Sequence, residues 1–164
     1  YQFSIDLPFI EEAVPSFPQL SLIAEQISHK TYHILVVDDN KASLMINERL
    51  LKDHGYSCSL ASSGHEAYDK FMEEKYDLIL MDIVMPGMDG LECTQKIRAS
   101  RKEGAEQIPI IAVSASEDDW HRDQAFSVGM NDFLAKPFTP IELYQIISKN
   151  FLLMERYNYL KSRM

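Results

Sequence analysis

The sequence predicts a doubly wound α/β domain, a five-stranded parallel sheet with helices on both faces. Three observations lead there. Short, solid apolar runs of strand length recur at Ile34-Leu35-Val36-Val37, Leu78-Ile79-Leu80-Met81 and Ile110-Ile111-Ala112-Val113. They lack the polar alternation of a half-exposed strand, which suits strands covered on both faces. Amphipathic stretches of helical length lie between them, and the alternation of strand and helix holds through five units. Right-handed crossovers then place helices on both sides of one sheet.

Taken in order, Tyr1 to Pro8 alternates apolar and polar residues, a strand pattern over 1–9. Residues 10–31 hold Pro15 and Pro18, and only Leu20 to Ile27 could form a short helix, so the stretch reads as a linker. The α/β pattern occupies 32–149. The first apolar run leads to a helix over 41–54, with Ile46 and Leu50 one turn apart and Gly55 as its stop. Tyr56 to Ala61 is a weaker second strand. A helix over 64–75 carries Ala67 and Phe71, and one over 90–100 carries Cys93 and Ile97. The stretch 118–128 carries Phe126 and Trp120, the latter read as a surface or switch-region packing residue, and stops at Gly129. Asp132 to Ala135 is the fifth strand. Thr139-Pro140 is an N-cap followed by proline at the first helical position, opening a helix that buries Leu143, Ile146 and Ile147. Residues 150–164 read as a C-terminal helical extension, with Leu153, Tyr157 and Leu160 at helical spacing. Packing on its own domain and packing on a second copy, giving a homodimer, are both open for that stripe.

Composition narrows the class. Sixteen Lys and Arg against 25 Asp and Glu give a net charge of −9. A chain this acidic lacks the broad basic surface that phosphate backbones need, so nucleic acid is excluded as a partner. No apolar run approaches the roughly 18–20 residues that span a bilayer, and no signal peptide is visible. Cys58 and Cys93 lack metal-ligand spacing and read as buried thiols in a reducing, cytoplasmic setting. His29, His33, His54, His65 and His121 have no partner at metal-ligand spacing. Tyr1 in place of an initial Met is read as the start of a piece of something longer.

In an open parallel sheet, ligands bind beyond the carboxyl ends of the strands. The first run ends in Asp38-Asp39, the third in Asp82, the fourth in Ser114 and the fifth in Lys136-Pro137. Singly, each is an ordinary turn or cap residue. Together they bring three carboxylates, a hydroxyl and an ammonium to one sheet edge. Carboxylates clustered without a cation repel and raise one another's pKa. A hard divalent ion such as Mg²⁺, which prefers oxygen ligands, resolves that, and Lys136 could balance the remaining charge.

Four motifs then carry a resemblance: Val36-Val37-Asp38-Asp39-Asn40, Asp82-Ile83-Val84-Met85-Pro86-Gly87-Met88-Asp89-Gly90, Val113-Ser114-Ala115, and Phe133-Leu134-Ala135-Lys136-Pro137. In this order and register, residues 32–149 resemble the receiver domain of two-component signalling. The resemblance implies a flavodoxin-like fold, with Asp82 as phosphoacceptor and phosphohistidine on a partner domain as donor. It implies Mg²⁺ held by Asp38, Asp39, Asp82 and the backbone carbonyl of Val84. It implies that Ser114 bonds a phosphoryl oxygen, that Lys136 pairs with Asp82 and then with the phosphoryl group, and that Phe133 holds the aromatic switch position in place of the commoner Tyr. It also implies a cis bond at Lys136-Pro137. Leu44 and Leu51, seven apart, read as core packing first and as a docking stripe for a phosphotransfer helix bundle second.

Asp-Asp-Asn at 38–40 resembles receivers fused to histidine kinases. Phe3-Ser4-Ile5-Asp6-Leu7-Pro8 resembles the last strand of a kinase ATP-binding domain. Both point to the C-terminal receiver of a hybrid sensor kinase, in a fragment that lacks the kinase core and whose catalysis is limited to its own phosphorylation and dephosphorylation. A free-standing response regulator acting through its fourth and fifth helices is the alternative. A Mg²⁺ phosphohydrolase would want Asp-x-Asp after the first strand, and a flavodoxin would want a Gly-rich phosphate loop there. Neither is present.

Overall fold

The computed structural model describes residues 30–164 except 117; the proposed strand at 1–9 and most of the linker at 10–31 lie outside the described residues. Five strands and five helices alternate: β1 (His33–Val37), α1 (Lys41–Asp53), β2 (Ser57–Ala61), α2 (Gly64–Glu73), β3 (Leu78–Asp82), α3 (Gly90–Ala99), β4 (Ile110–Ser114), α4 (Asp119–Ser127), β5 (Asp132–Ala135) and α5 (Pro140–Lys161). All pairings are parallel, in the order β2-β1-β3-β4-β5. This is the flavodoxin-like order, whose switch point lies between β1 and β3.

The solid apolar runs are explained by burial on both faces. Alternate residues of a strand point to opposite sides. Leu35, Val37, Ile79, Met81, Ile110 and Ala112 pack with Ala67 and Phe71 of α2, Cys93 and Ile97 of α3, and Ala125 of α4. Ile34, Val36, Leu78, Leu80, Ile111 and Val113 pack with Leu44 and Leu51 of α1 and Leu143, Ile147 and Phe151 of α5. Each helix is capped by a side chain at its start: Asn40, Ser63, Asp89, Asp118 and Thr139 accept hydrogen bonds from first-turn N–H groups that otherwise lack partners. Thr139 and Glu142 complete a reciprocal capping box. No helix among the described residues is long and apolar enough to cross a membrane.

Three packing expectations need correction. On α1 the inward face is Leu44, Asn47 and Leu51, while Ile46 is exposed and Leu50 only half-buried. The Asn40 cap fixes where the helix starts, and that phase turns residue 46 outward. On α4 the buried residue is Ala125, and Phe126 points to solvent. Cys93 is buried, but Cys58, on the edge strand β2, is only half-buried. Helix α5 passes through residues 149–150 without a break. Its fully buried residues end at Phe151; beyond it Met154 still packs partly on the core, while Leu153, Tyr157 and Leu160 are about half exposed.

Candidate functional site

Strand register brings the acidic residues together. Val37 of β1 stands opposite Met81 of β3, so Asp38 and Asp82 leave neighbouring strands at one level. Asp38 and Asp82 are buried, Asp39 is exposed, and one carboxylate oxygen from each lies within 4.8 Å of the others. Lys136 arrives from β5, two strands away on the far side of β4. Its Nζ donates to Asp38 Oδ2 at 2.7 Å and to Asp82 Oδ2 at 3.2 Å. The sequence reading paired Lys136 with Asp82; the shorter contact is to Asp38, and the ammonium bridges both.

Backbone amides hold the other oxygens. Asn40 N–H donates to Asp38 Oδ1 at 2.8 Å, and Val84 N–H donates to Asp82 Oδ1 at 3.2 Å. Burial raises the Asp82 carboxyl pKa; the Lys136 ammonium opposes this, and the nearby Asp38 charge adds to it. For Lys136, burial alone would lower the value, but the bonds and charges of Asp38 and Asp82 together outweigh it and raise it. Three clustered carboxylates with one ammonium bridging two of them leave an excess of negative charge among hard oxygen donors. That donor set fits a hard divalent cation such as Mg²⁺, with Asp39 reachable from solvent.

Gly90, the first residue of α3, sits against the end of β3. A Cβ there would lie 2.1 Å from the Asp82 carbonyl oxygen, so only glycine fits. Gly90 N–H also donates to the Ile83 carbonyl at 2.9 Å. Ser114 is fully buried at the end of β4, where its Oγ accepts from Ser116 N–H at 3.2 Å. Val84 is 65% exposed beside Asp82. Phe133 is buried, with the Arg122 guanidinium 5.0 Å from its ring centroid. The Lys136-Pro137 bond is cis.

Two contributors escaped sequence reasoning. Gly90 was visible only as part of a motif, and Asp89-Gly90 at a helix start was the signal for a close approach. Arg122 gave no local signal, because its contact with Phe133 joins α4 to the following strand.

This fold and edge define a class, and the comparisons with known proteins identify it. The chain belongs to the response regulator receiver domain family, whose description it matches over residues 34–148. It is 35% identical over 128 residues to the sensor protein GacS of Pseudomonas syringae pv. syringae, covering 77% of this chain and 14% of that one. It is 39% identical over 137 residues to hybrid signal transduction histidine kinase B of Dictyostelium discoideum, covering 77% and 7%. The chain thus spans a small fraction of the length of these relatives. Among solved structures it is similar to the receiver domain of sensor histidine kinase PA1611 from Pseudomonas aeruginosa PAO1, which holds a magnesium ion in its active site cleft. The TM-score is 0.69 and the identity 36%, over 74% of this chain and 98% of that one.

Proposed function

We propose that this receiver accepts a phosphoryl group from a phosphohistidine onto Asp82, with Mg²⁺ held by Asp38, Asp39, Asp82 and the Val84 carbonyl. The observation that carries the reading is the cluster of three carboxylates, Asp38, Asp39 and Asp82, two of which are bridged by the Lys136 ammonium. An Asp82 oxygen forms a bond to phosphorus as the phosphorus–nitrogen bond to the donor imidazole breaks. The product is an acyl phosphate on Asp82 and a neutral imidazole on the donor after proton uptake. When bound, Mg²⁺ supplies positive charge for the phosphoryl oxygens. Lys136 offsets the repulsion between the incoming anion and the buried carboxylates. Ser114 turns its hydroxyl to a phosphoryl oxygen, and Phe133 responds to the space this leaves.

The donor is a phosphohistidine-bearing helical domain. Met45 and Ile46 of α1, 69% and 60% exposed, and Val84 offer it apolar contacts near the site. Leu44 and Leu51, the alternative docking stripe, are core residues. The parent is a cytoplasmic hybrid sensor kinase segment, with 1–9 ending a kinase domain, 10–31 linking, 32–149 receiving and 150–164 extending the last helix. Similarity to hybrid signal transduction histidine kinase B supports that origin.

Mass spectrometry after treatment with a small phosphodonor and Mg²⁺ tests the acceptor. One phosphoryl group is expected on the wild type and none on Asp82→Asn. Labelling elsewhere with Asp82 intact overturns the assignment.

A further inference from the structure

The loop that leaves the acceptor, residues 83–89, is held by packing at three points. Ile83, Met85 and Met88 are buried, while Val84 between the first two is exposed. Two backbone bonds brace its ends, Val84 N–H to Asp82 Oδ1 and Gly90 N–H to the Ile83 carbonyl. On one side the loop is closed by Gly90 against β3. On the other it meets Gly64, the buried first residue of α2. A Cβ on Gly64 would fall inside contact distance of the Met88 carbonyl oxygen and only 2.9 Å from Met88 Cγ. Cys93 Sγ of α3 donates to the Gly64 carbonyl at 3.3 Å, so α2, the loop and α3 meet at one buried point.

Which side would yield to an added carbon is decided by what stands behind each. The start of α2 is fixed. Ala61, at the end of β2, accepts from Asp38 N–H at 3.1 Å. Glu66 Oε2 accepts from Ser62 N–H at 2.7 Å and from Ser62 Oγ at 2.8 Å, and Ser63 Oγ accepts from Glu66 N–H at 3.2 Å. Ala67 and Phe71 seat the next turns in the core. The loop is a turn instead. Gly87 is left-handed, with φ +76°, and a Cβ on it would meet nothing within 4 Å. A carbon added at 64 therefore pushes Met88, and with it the chain that runs back to Val84.

We infer that Gly64 is a positioning residue for the metal site: by letting the start of α2 lie against Met88 it fixes the 83–89 loop, and with it the Val84 carbonyl, so that the small Mg²⁺ is preferred over a larger divalent ion. The inference rests on the proposed Mg²⁺ ligand set and adds to it a determinant of selectivity that touches no metal. Mg²⁺ demands near-ideal octahedral geometry with ligands at about 2.0–2.1 Å, whereas Ca²⁺ accepts variable geometry at about 2.3–2.6 Å. A ligand on a displaced loop still serves Ca²⁺; Mg²⁺ needs the loop held. Groups that orient a ligand without touching the metal are worth about tenfold to a hundredfold in affinity.

Calorimetric titration of Mg²⁺ and of Ca²⁺ into the full 164-residue chain tests this, with circular dichroism to show that each variant is folded. In Gly64→Ala, Mg²⁺ affinity is expected to fall at least about tenfold and Ca²⁺ affinity by less than about threefold, so the preference for Mg²⁺ shrinks. Gly104→Ala is the control. Its φ of +83° makes any side chain strained, a Cβ there would meet nothing within 4 Å, and it lies beyond the end of α3, outside the loop. It should lose stability and keep the wild-type ratio of the two affinities, since partial unfolding weakens both ions alike. If Gly64→Ala does not fold, Met88→Ala takes its place: it deletes the buried side chain that anchors the loop on α2, and the same shift in ratio is expected. A wild-type ratio in the folded variant overturns the role of Gly64 and leaves the metal site standing. Absence of Mg²⁺ binding in the wild type overturns the ligand set, and this inference with it.

Discussion

At the N-terminal edge of the sheet, charged groups lie beside their opposites. Lys30 sits between Asp77 and Glu155, Asp77 also accepts from His33 N–H at 2.8 Å, and Asp132 accepts from Lys149 and Asn150. At the C-terminal edge, three carboxylates cluster and only Asp38 and Asp82 are paired, both with the single ammonium of Lys136. Both edges belong to the same five strands, so strand geometry cannot account for the difference. One edge pairs its charges; the other holds more negative than positive charge, which suits it to a cation. Binding sites routinely spend stability in this way.

The largest expected effect lies at the stabilising edge. Phe151 is fully buried and stacked on Tyr32, so Phe151→Ala should cost about 3–5 kcal/mol in urea unfolding, with Mg²⁺ affinity unchanged in the protein that remains folded. At the other edge the effect should be on metal. Loss of groups that merely support a metal ligand costs tenfold or more, so loss of a ligand should cost at least about that. Asp39→Ala is expected to weaken Mg²⁺ binding by calorimetry more than Asp38→Ala does, because Asp38 is already engaged by Lys136. Equal affinities in Asp39→Ala and wild type would break the comparison.

Stability changes of opposite sign sharpen it. Asp77→Ala removes the acceptor for His33 N–H and should destabilise by about 1–3 kcal/mol. Asp82→Asn should instead raise Tm in Mg²⁺-free buffer. Burial raises the folded-state pKa of Asp82, so its ionised form opposes folding, and neutralisation relieves that. A gain of about 1 kcal/mol would move Tm by roughly 2–8 °C.

The smallest effect concerns Glu66, a carboxylate near the same edge as Asp82 with the opposite shift. Donation from the Ser62 backbone N–H, with Lys70 adding to it, pulls its pKa down to about 2. A depressed carboxylate contributes stability above its unfolded value, near 4.3, and loses it as pH falls through the folded value. The advantage of wild type over Glu66→Gln should therefore be constant above about pH 5 and fade toward pH 2, with an NMR titration midpoint near 2. A midpoint near 4 would remove the contrast with Asp82.

Much of this was legible because a sheet buried on both faces demands solid apolar runs, and those runs fix where strands end. Asp38, Asp82, Ser114 and Lys136 could be placed at one edge from that alone. What the sequence hid depends on phase and on distant contacts. Ile46 faces out because the Asn40 cap, not apolar spacing, sets the rotation of α1. Arg98 donates to Gly129 and Ala105 carbonyls and to Asn131, three acceptors that come together only when loops distant in sequence meet. The resemblance implied that Lys136 pairs with Asp82, and that contact is present; the second, shorter contact with Asp38 is one that no one-dimensional pattern announces.

The glycine at the start of α3 gives the site a mechanical asymmetry. There is no room for even one carbon between Gly90 and the Asp82 carbonyl, and Cys93, Thr94 and Ile97 are fully buried behind it, so α3 is packed directly against the end of β3. Across the site, α4 buries a single residue, Ala125, and touches Phe133 through Arg122. The acidic edge is therefore flanked by a closely packed helix on the β3 side and a sparsely buried one beyond β4. The absence of one side chain, at Gly90, is what lets the packing on the β3 side be so close.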